Sequence, residues 1–205
     1  NYLDSLGINA IELMPVNEFE GNISWGYNPN FFLAPDKYYG PKNAYKAFVD
    51  ECHSRGIAVI MDIALNHSFG LNPQVQLYFD PNAGQWGQPT ADSPWFNEIP
   101  KHDFNVGYDY NHESPYTKKF VDSVLVHWVT EYHIDGYRMD LSKGFTQNNT
   151  LGDVAAMGAY DQSRIDILNA YATHVWSSAP DTYFILEHFA DNDEEQVLSD
   201  LGFML

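Results

Sequence analysis

Residues 134–140 read Ile-Asp-Gly-Tyr-Arg-Met-Asp, and this stretch decides the fold class. It directly follows the clearest predicted helix, residues 114–133, and its alternating side chains are typical of a strand with two distinct faces. Alternation places Gly136, Arg138 and Asp140 on the same face. Charged groups at the end of a buried strand lose hydration free energy unless they are paired. The pattern therefore indicates that the charged residues at this strand end serve a function.

Two other apolar stretches end in the same way. Residues 61–67 read Met-Asp-Ile-Ala-Leu-Asn-His, and residues 185–188 read Ile-Leu-Glu-His. Active sites of parallel α/β proteins lie at the carboxyl ends of strands. We therefore expect Asp62, Asp140 and Glu187 to meet at one edge of a sheet. Taken singly, each carboxylate also fits a structural role, as a strand-end cap, an ion-pair partner or a helix-start residue.

The order of predicted elements supports a parallel sheet, either open or closed into a barrel. Predicted strands cover residues 8–15, 56–66, 134–141 and 183–188, and a further strand begins near 201–205. Predicted helices cover residues 43–55, with 44, 47, 48 and 52 on the apolar face, then 114–133 and a segment between 165 and 175. No strand is followed by a Gly-rich phosphate loop, which argues against a nucleotide-binding sheet. Residues 68–113 are too long for a simple connection and predict a functional, loop-rich insert.

Charge and composition exclude several classes of partner. The 205 residues include 28 Asp and Glu against 10 Lys and Arg, for a net charge of -18. Such a surface repels phosphate backbones and anionic lipid, so we expect no nucleic-acid or membrane partner. The acidic run 191–195 is interpreted as a solvated helix start. A lone cysteine, Cys52, predicts no internal disulfide, and secreted and cytoplasmic locations both remain open.

The strand ends resemble the short motifs of the α-amylase family of glycoside hydrolases. Asp62-x-x-x-Asn66-His67 is similar to the first motif, and Gly136-x-Arg138-x-Asp140 to the second, which holds the nucleophile. Glu187 matches the third, the general acid/base. Residues 25–29, Trp-Gly-Tyr-Asn-Pro, look like the segment that carries a substrate-facing Tyr. Together with residues 12–15, Glu-Leu-Met-Pro, they favour the branching, debranching and pullulanase-like side of the family.

The resemblance covers essentially the whole sequence and implies a (β/α)8 TIM barrel. We expect residues 1–205 to supply about strands 2 to 6 of one catalytic barrel, with residues 68–113 as a small domain-B-like insert. The family's fourth motif, an Asn-His-Asp segment with the third carboxylate, has no counterpart after Glu187. The expectation is therefore an incomplete barrel that is inactive alone.

The chemistry implied by the resemblance is retaining hydrolysis or transfer on α-linked glucan of the starch or glycogen type, without a cofactor. Asp140 is the expected nucleophile and Glu187 the expected acid/base, while Arg138 is expected to keep Asp140 ionised. The expected substrate-binding residues are Tyr27, Asp62, His67, Arg138, Lys143 and His188. Trp86 and Trp95 in the insert are expected to divide between sugar platforms and local core.

The resemblance also raises calcium binding and leaves three alternative functions. Many members of the family bind Ca²⁺ through the Asn of the first motif, here Asn66, but position 144 is Gly where many amylases have His. A branching transferase would use the same residues as a hydrolase. A non-catalytic barrel homologue is disfavoured because the visible motif carboxylates are intact, and an unrelated α/β binding protein would need all motifs to arise by chance.

Overall fold

Within residues 2–205, which the computed structural model describes, short strands alternate with helices. In chain order the strands are β1 (Ala10–Leu13), β2 (Asn17–Phe19), β3 (Pro29–Pro35), β4 (Ala58–Ile63), β5 (His67–Ser68), β6 (Phe79–Asp80), β7 (Gln88–Pro89), β8 (Tyr108–Asp109), β9 (Gly136–Met139) and β10 (Tyr183–Leu186). The α-helices are α1 (Tyr2–Ser5), α2 (Lys42–His53), α3 (Pro73–Leu77), α4 (Pro115–Tyr132), α5 (Val154–Gly158), α6 (Gln162–Trp176) and α7 (Asn192–Asp200). Lys37–Tyr39 and Ser142–Phe145 form 3₁₀-helices.

The central sheet has the order β1-β4-β9-β10, and every neighbouring pair in it is parallel. The register places Asp62 of β4 opposite Arg138 of β9. Gly136 is required for close approach at the start of β9, since a Cβ there would lie 2.6 Å from both the Cβ and the carbonyl oxygen of Tyr183. Because the strands are parallel, their carboxyl ends share one edge, and the motif residues project from it.

The predicted parallel sheet is confirmed; β1, β4 and β9 are shorter than predicted at both ends, and β10 is shorter at its carboxyl end. Near the predicted last strand, Met204 forms a parallel bridge with Ile185 of β10. Backbone bonds reinforce this bridge, because Leu186 donates to the Met204 carbonyl oxygen at 2.8 Å and Met204 donates to that of Phe184 at 2.9 Å. The chain thus begins a further parallel alignment on the outer side of β10.

Helix α4 forms where the sequence predicts it. The Ser114 side chain accepts a hydrogen bond from the Tyr116 amide, Pro115 occupies the first turn, and the helix ends at His133 in the left-handed conformation. Its buried face consists of Thr117, Val121, Val124, Leu125, Trp128 and Tyr132. Trp128 is fully buried and donates from Nε1 to the Phe32 carbonyl oxygen at 2.7 Å. Truncation of such a side chain costs about 3–5 kcal/mol.

The predicted apolar face of α2 is confirmed at Cys52 and wrong at positions 44, 47 and 48. Tyr45, Val49 and Cys52 are buried, whereas Phe48 is 38% exposed and Ala44 and Ala47 face solvent. The helix turns this way because the Tyr45 ring packs edge-on against Trp128 and tilts against Tyr132 of α4. An aromatic ring buries more apolar area than two alanines, so its contacts decide the orientation.

The insert carries its own small elements. Strands β5 and β8 pair antiparallel beside the central sheet, and β6 and β7 form a separate antiparallel pair. Helix α3 begins at Asn72, whose side chain accepts from the Gln74 amide. Among residues 2–205, no helix is both long and apolar enough to cross a lipid bilayer.

Candidate active site

Arg138 lies at the centre of the candidate site and contacts three carboxylates. Its Nη1 lies 2.9 Å from Asp62 Oδ2 and 3.0 Å from Asp140 Oδ1, and its Nη2 lies 3.0 Å from Glu187 Oε1. These residues come from the ends of β4, β9 and β10, which are adjacent in the sheet. The structure therefore brings together the three carboxylates that the sequence places at separate strand ends.

Asp62 forms the buried wall of this cluster. It is 2% exposed and accepts a hydrogen bond from the Tyr27 hydroxyl at 2.7 Å. Burial raises the pKa of Asp62, although the bonds from Tyr27 and Arg138 oppose the shift. Burial and the Asp62 carboxylate likewise raise the pKa of Tyr27. Tyr27 therefore stays a hydroxyl donor that fixes Asp62, and both side chains frame the site.

The pKa of Asp140 lies above the ordinary value of an aspartate side chain. Burial raises the pKa of Asp140 to about 6, and the neighbouring charges of Asp62 and Glu187 add to the effect. Arg138 opposes the shift, but one guanidinium is shared among three carboxylates. Arg138 thus favours the ionised form of Asp140, in the predicted direction, but burial and two like charges outweigh this attraction.

A strained turn after Asp140 positions Glu187. Leu141 adopts φ 42° and ψ 50°, a left-handed conformation that is costly for a branched side chain. In this conformation its amide donates to Glu187 Oε2 at 2.9 Å, while the Ser142 amide donates to the Glu187 carbonyl oxygen at 3.0 Å. The segment that follows Asp140 therefore holds Glu187 both by its side chain and by its backbone.

Comparison with known proteins identifies the family. A family profile described as the alpha amylase catalytic domain matches residues 1–198. The chain belongs to the α-amylase family. It is 30% identical over 150 residues to malto-oligosyltrehalose trehalohydrolase of Saccharolobus solfataricus, covering 73% of this chain and 24% of that protein.

Other α-amylase family members give the same picture. Isoamylase SU1 of Zea mays is 34% identical over 176 residues, which cover 75% of this chain and 21% of that protein. The 1,4-alpha-glucan branching enzyme GlgB of Shewanella frigidimarina is 34% identical over 139 residues, which cover 68% of this chain and 18% of that protein. The chain therefore spans less than a quarter of the length of these curated relatives. The Eubacterium rectale Amy13B structure shares the fold, with TM-score 0.76 and 22% identity over 98% of this chain and 41% of its own. These likenesses place the central parallel sheet within a (β/α)8 barrel catalytic domain.

The α-amylase first-motif residues Asn66 and His67 lie beside the carboxylate cluster. The Asn66 amide donates to the Asp140 carbonyl oxygen at 3.0 Å, and its Oδ1 lies 2.6 Å from His67 Nδ1. His67 is 2% exposed, and its Nε2 lies 2.7 Å from the Tyr27 carbonyl oxygen. Burial lowers the pKa of His67. Both ring nitrogens thus face protein oxygens, and the predicted substrate contact of His67 stays a prediction.

Two residues predicted to bind substrate have different environments. Lys143 extends along the protein surface, where its Nζ donates to the Phe189 carbonyl oxygen at 3.3 Å. His188 is 1% exposed, with Nδ1 2.9 Å from the Ser142 hydroxyl and Nε2 2.7 Å from Glu194 Oε1. Both ring nitrogens of His188 thus face protein atoms, as those of His67 do, and its predicted substrate contact stays a prediction.

The interpretation of residues 191–195 as a solvated helix start is wrong for Glu194. Its side chain is fully buried and accepts from Arg164 Nε and Nη2, each at 2.7 Å. Arg164 Nη1 also donates to the Lys143 carbonyl oxygen at 3.1 Å. Burial raises the pKa of Glu194, but the bonds from His188 and Arg164 outweigh it and hold that pKa below its usual range. No sequence motif indicates this pair, which ties α6 and α7 to the segments that follow both candidate catalytic carboxylates.

The residues around Asn66 do not fit a calcium ion. The Asn66 side-chain oxygen is already engaged by His67, and His102 fills the space between Asn66 and Gly144, since a Cβ on Gly144 would lie 3.0 Å from its ring. His102 Nε2 lies 3.3 Å from Asp109 Oδ1, and both side chains are fully buried. Burial lowers the pKa of His102, but Asp109 outweighs it and the pKa is raised.

Proposed function

We propose that this protein is a retaining α-glucan hydrolase of the α-amylase type, acting on α-1,4 or α-1,6 linkages of starch- or glycogen-like glucan. The observation that carries the proposal is the shared contact of Arg138 with Asp140 and Glu187. Retention requires two carboxyls close enough to act on one glycosidic bond from opposite sides, about 5–5.5 Å apart. Two carboxylates that share one guanidinium are compatible with that requirement.

In the proposed reaction, an Asp140 oxygen attacks the anomeric carbon while Glu187 donates its proton to the leaving glycosidic oxygen. The carbon–oxygen bond breaks, and a covalent glycosyl–Asp140 intermediate forms. Glu187, now a carboxylate, removes a proton from water, which attacks the same carbon and releases Asp140. Arg138 and Asp62 orient the two carboxyls, and the Leu141 amide positions Glu187 through its bond to Oε2.

The finer assignment of the barrel is part of the proposal. We assign β1, β4, β9 and β10 to the second to fifth barrel strands, and the Met204 bridge to the start of the sixth. Residues 68–113 then form a small insert of the domain-B type after the third strand. We propose that Tyr27, Asp62, His67, Arg138, Lys143 and His188 form the substrate-binding region, in which the buried side chains of Asp62, His67 and His188 support the others. Activity is proposed not to depend on calcium at Asn66.

A second candidate is branching transfer, in which a glucan hydroxyl replaces water in the second step. It is favoured by the similarity to branching enzyme GlgB of Shewanella frigidimarina. Because the same carboxylates serve both reactions, the two are separated by product analysis on amylose: reducing ends increase in hydrolysis, and α-1,6 branch points increase in transfer.

Paired variants of the full-length protein test the chemistry. Asp140→Asn removes the nucleophile and is expected to abolish turnover on every substrate. Glu187→Gln removes the proton donor, so cleavage of natural glucan should fall by about 10²–10⁴-fold, while a glucoside with an activated leaving group still glycosylates Asp140. Mass spectrometry of the trapped adduct identifies the nucleophile, and an adduct on Glu187 would reverse the assignment.

A further inference from the structure

A cleft of about 630 Å³ lies between the insert and the segment around Phe69, outside the carboxylate cluster. The Phe69 ring forms one wall and packs edge-on against His67, with ring centroids 5.8 Å apart. His67 in turn contacts Tyr27, whose hydroxyl binds Asp62. Direct side-chain contacts thus link the wall of the cleft to the frame of the candidate catalytic centre.

The insert presents Trp86 at the wall of this cleft. Trp86 lies in the turn between β6 and β7 and is 80% exposed. The turn packs closely against the Phe79 ring. Gly87 adopts φ 76°, and a Cβ on this residue would lie 2.3 Å from the ring. Phe79 packs edge-on against Tyr108, which also lines the cleft. A well-anchored turn thus holds a large apolar ring in water, where it adds nothing to the core.

Trp95 shows what a structural tryptophan of the same insert looks like. Its ring is partly buried and packs edge-on against Tyr78, with centroids 5.8 Å apart. Its carbonyl oxygen accepts bonds from the Asn111 amide and the Thr117 hydroxyl. Trp95 is therefore part of the local packing of the insert, whereas the Trp86 ring is exposed.

The polar groups of the cleft favour a neutral ligand with many hydroxyls. Its wall includes the carboxylates of Glu20 and Glu98 and the side-chain amides of Gln85 and Gln88. Among the described residues that line it, none is Lys or Arg. Carboxylates accept hydrogen bonds from hydroxyls and repel anions, and a flat indole ring stacks on an apolar face. A sugar chain without phosphate or sulfate combines both properties.

We propose that this cleft is an accessory subsite that binds a neutral α-glucan chain, with Trp86 as its stacking platform. The proposal rests on the proposed α-glucan function and adds to it a binding site remote from the reacting bond. A chain long enough to reach from the carboxylate cluster into the cleft gains contact with Trp86. A short oligosaccharide that occupies the catalytic centre alone gains nothing from it.

The test uses the full-length protein with Asp140→Asn, so that binding is measured without turnover. Trp86→Ala is expected to weaken maltoheptaose binding about threefold to tenfold by calorimetry and to leave maltotriose binding unchanged. Trp86→Phe, which keeps a ring, should retain most of the affinity. Tyr116→Ala is the matched control, because Tyr116 is 61% exposed and lies outside the cleft.

The outcomes separate the subsite from the reaction. Unchanged maltoheptaose affinity in Trp86→Ala overturns the subsite, and it leaves the proposed function standing if the Asp140 form cleaves glucan. Equal binding of a sulfated maltoheptaose overturns the neutral-ligand assignment. If the parent protein neither binds maltoheptaose nor cleaves glucan, the proposed function fails and the subsite fails with it.

Discussion

Replacing Glu194 with Gln tests the buried network behind the candidate site. The variant keeps the shape of the side chain but removes the negative charge that faces Arg164 Nε and Nη2 at 2.7 Å. Arg164 would keep its bonds to the carbonyl oxygens of Lys143, Met157 and Ala159, but its charge would be buried without a counter-ion. Breaking a buried ion pair in this way costs about 3–5 kcal/mol.

The free energy of unfolding of the full-length protein, measured by urea denaturation, is the first readout. Glu195→Gln is the control, because it removes the same charge one residue along α7 from a partly exposed position, and it should change stability by about 0.5 kcal/mol or less. The low pKa of Glu194 gives a second readout. Its stabilising effect is complete above the ordinary Glu pKa of about 4.3 and is lost as pH falls through the lower folded value.

A purely structural role would change stability alone, so activity is the third readout. The Lys143 carbonyl oxygen and the His188 ring connect the pair to the segments after Asp140 and Glu187. Displacement of these segments by about 1 Å is expected to lower kcat by up to about a hundredfold in the folded fraction, with a smaller change in KM. A stability loss no larger than that of Glu195→Gln would refute the reasoning.

The remaining predictions concern charge at the site and its surroundings. Because the pKa of Asp140 is about 6, kcat/KM of the full-length protein should fall as pH drops below about 6. Asp62→Asn removes a like charge beside Asp140 and should therefore move this acidic limb of the pH profile to lower pH. An acidic limb at the same pH in the variant would contradict the assigned cause. Because His102 fills the space beside Asn66, neither chelator nor added Ca²⁺ should shift the thermal unfolding temperature, whereas an ion bound at that site at a hundred times its Kd would add about 2.7 kcal/mol.

The sequence predicts that the three carboxylates meet, because strand ends are local features. Asp62, Asp140 and Glu187 each follow a short apolar stretch, and parallel strands carry such ends to one edge whatever the register. The helix α4 is predicted for the same reason, since its cap, its first-turn proline and its apolar stripe all lie within a single segment.

The buried Arg164–Glu194 pair could not be found in this way. Its residues are separated by 30 positions, and Glu194 stands in an acidic run at a helix start, where carboxylates are favoured without any tertiary partner. The placement of His102 depends on the path of a long loop, which no periodic pattern fixes. Only the packing of α6, α7 and the insert against the sheet reveals which of these polar residues are enclosed.

The sharing of Arg138 among three carboxylates bears on the charge of the proposed nucleophile. Burial raises the pKa of Asp140, and the neighbouring charges of Asp62 and Glu187 add to the shift, because one guanidinium is shared among the three. Retaining chemistry requires an ionised Asp140 when the glycosidic bond breaks. A positive charge developing at the anomeric carbon favours that state, because it stabilises the nearby Asp140 carboxylate. Since Arg138 alone does not offset burial and two like charges, this developing charge adds to the stabilisation that Asp140 needs as a nucleophile.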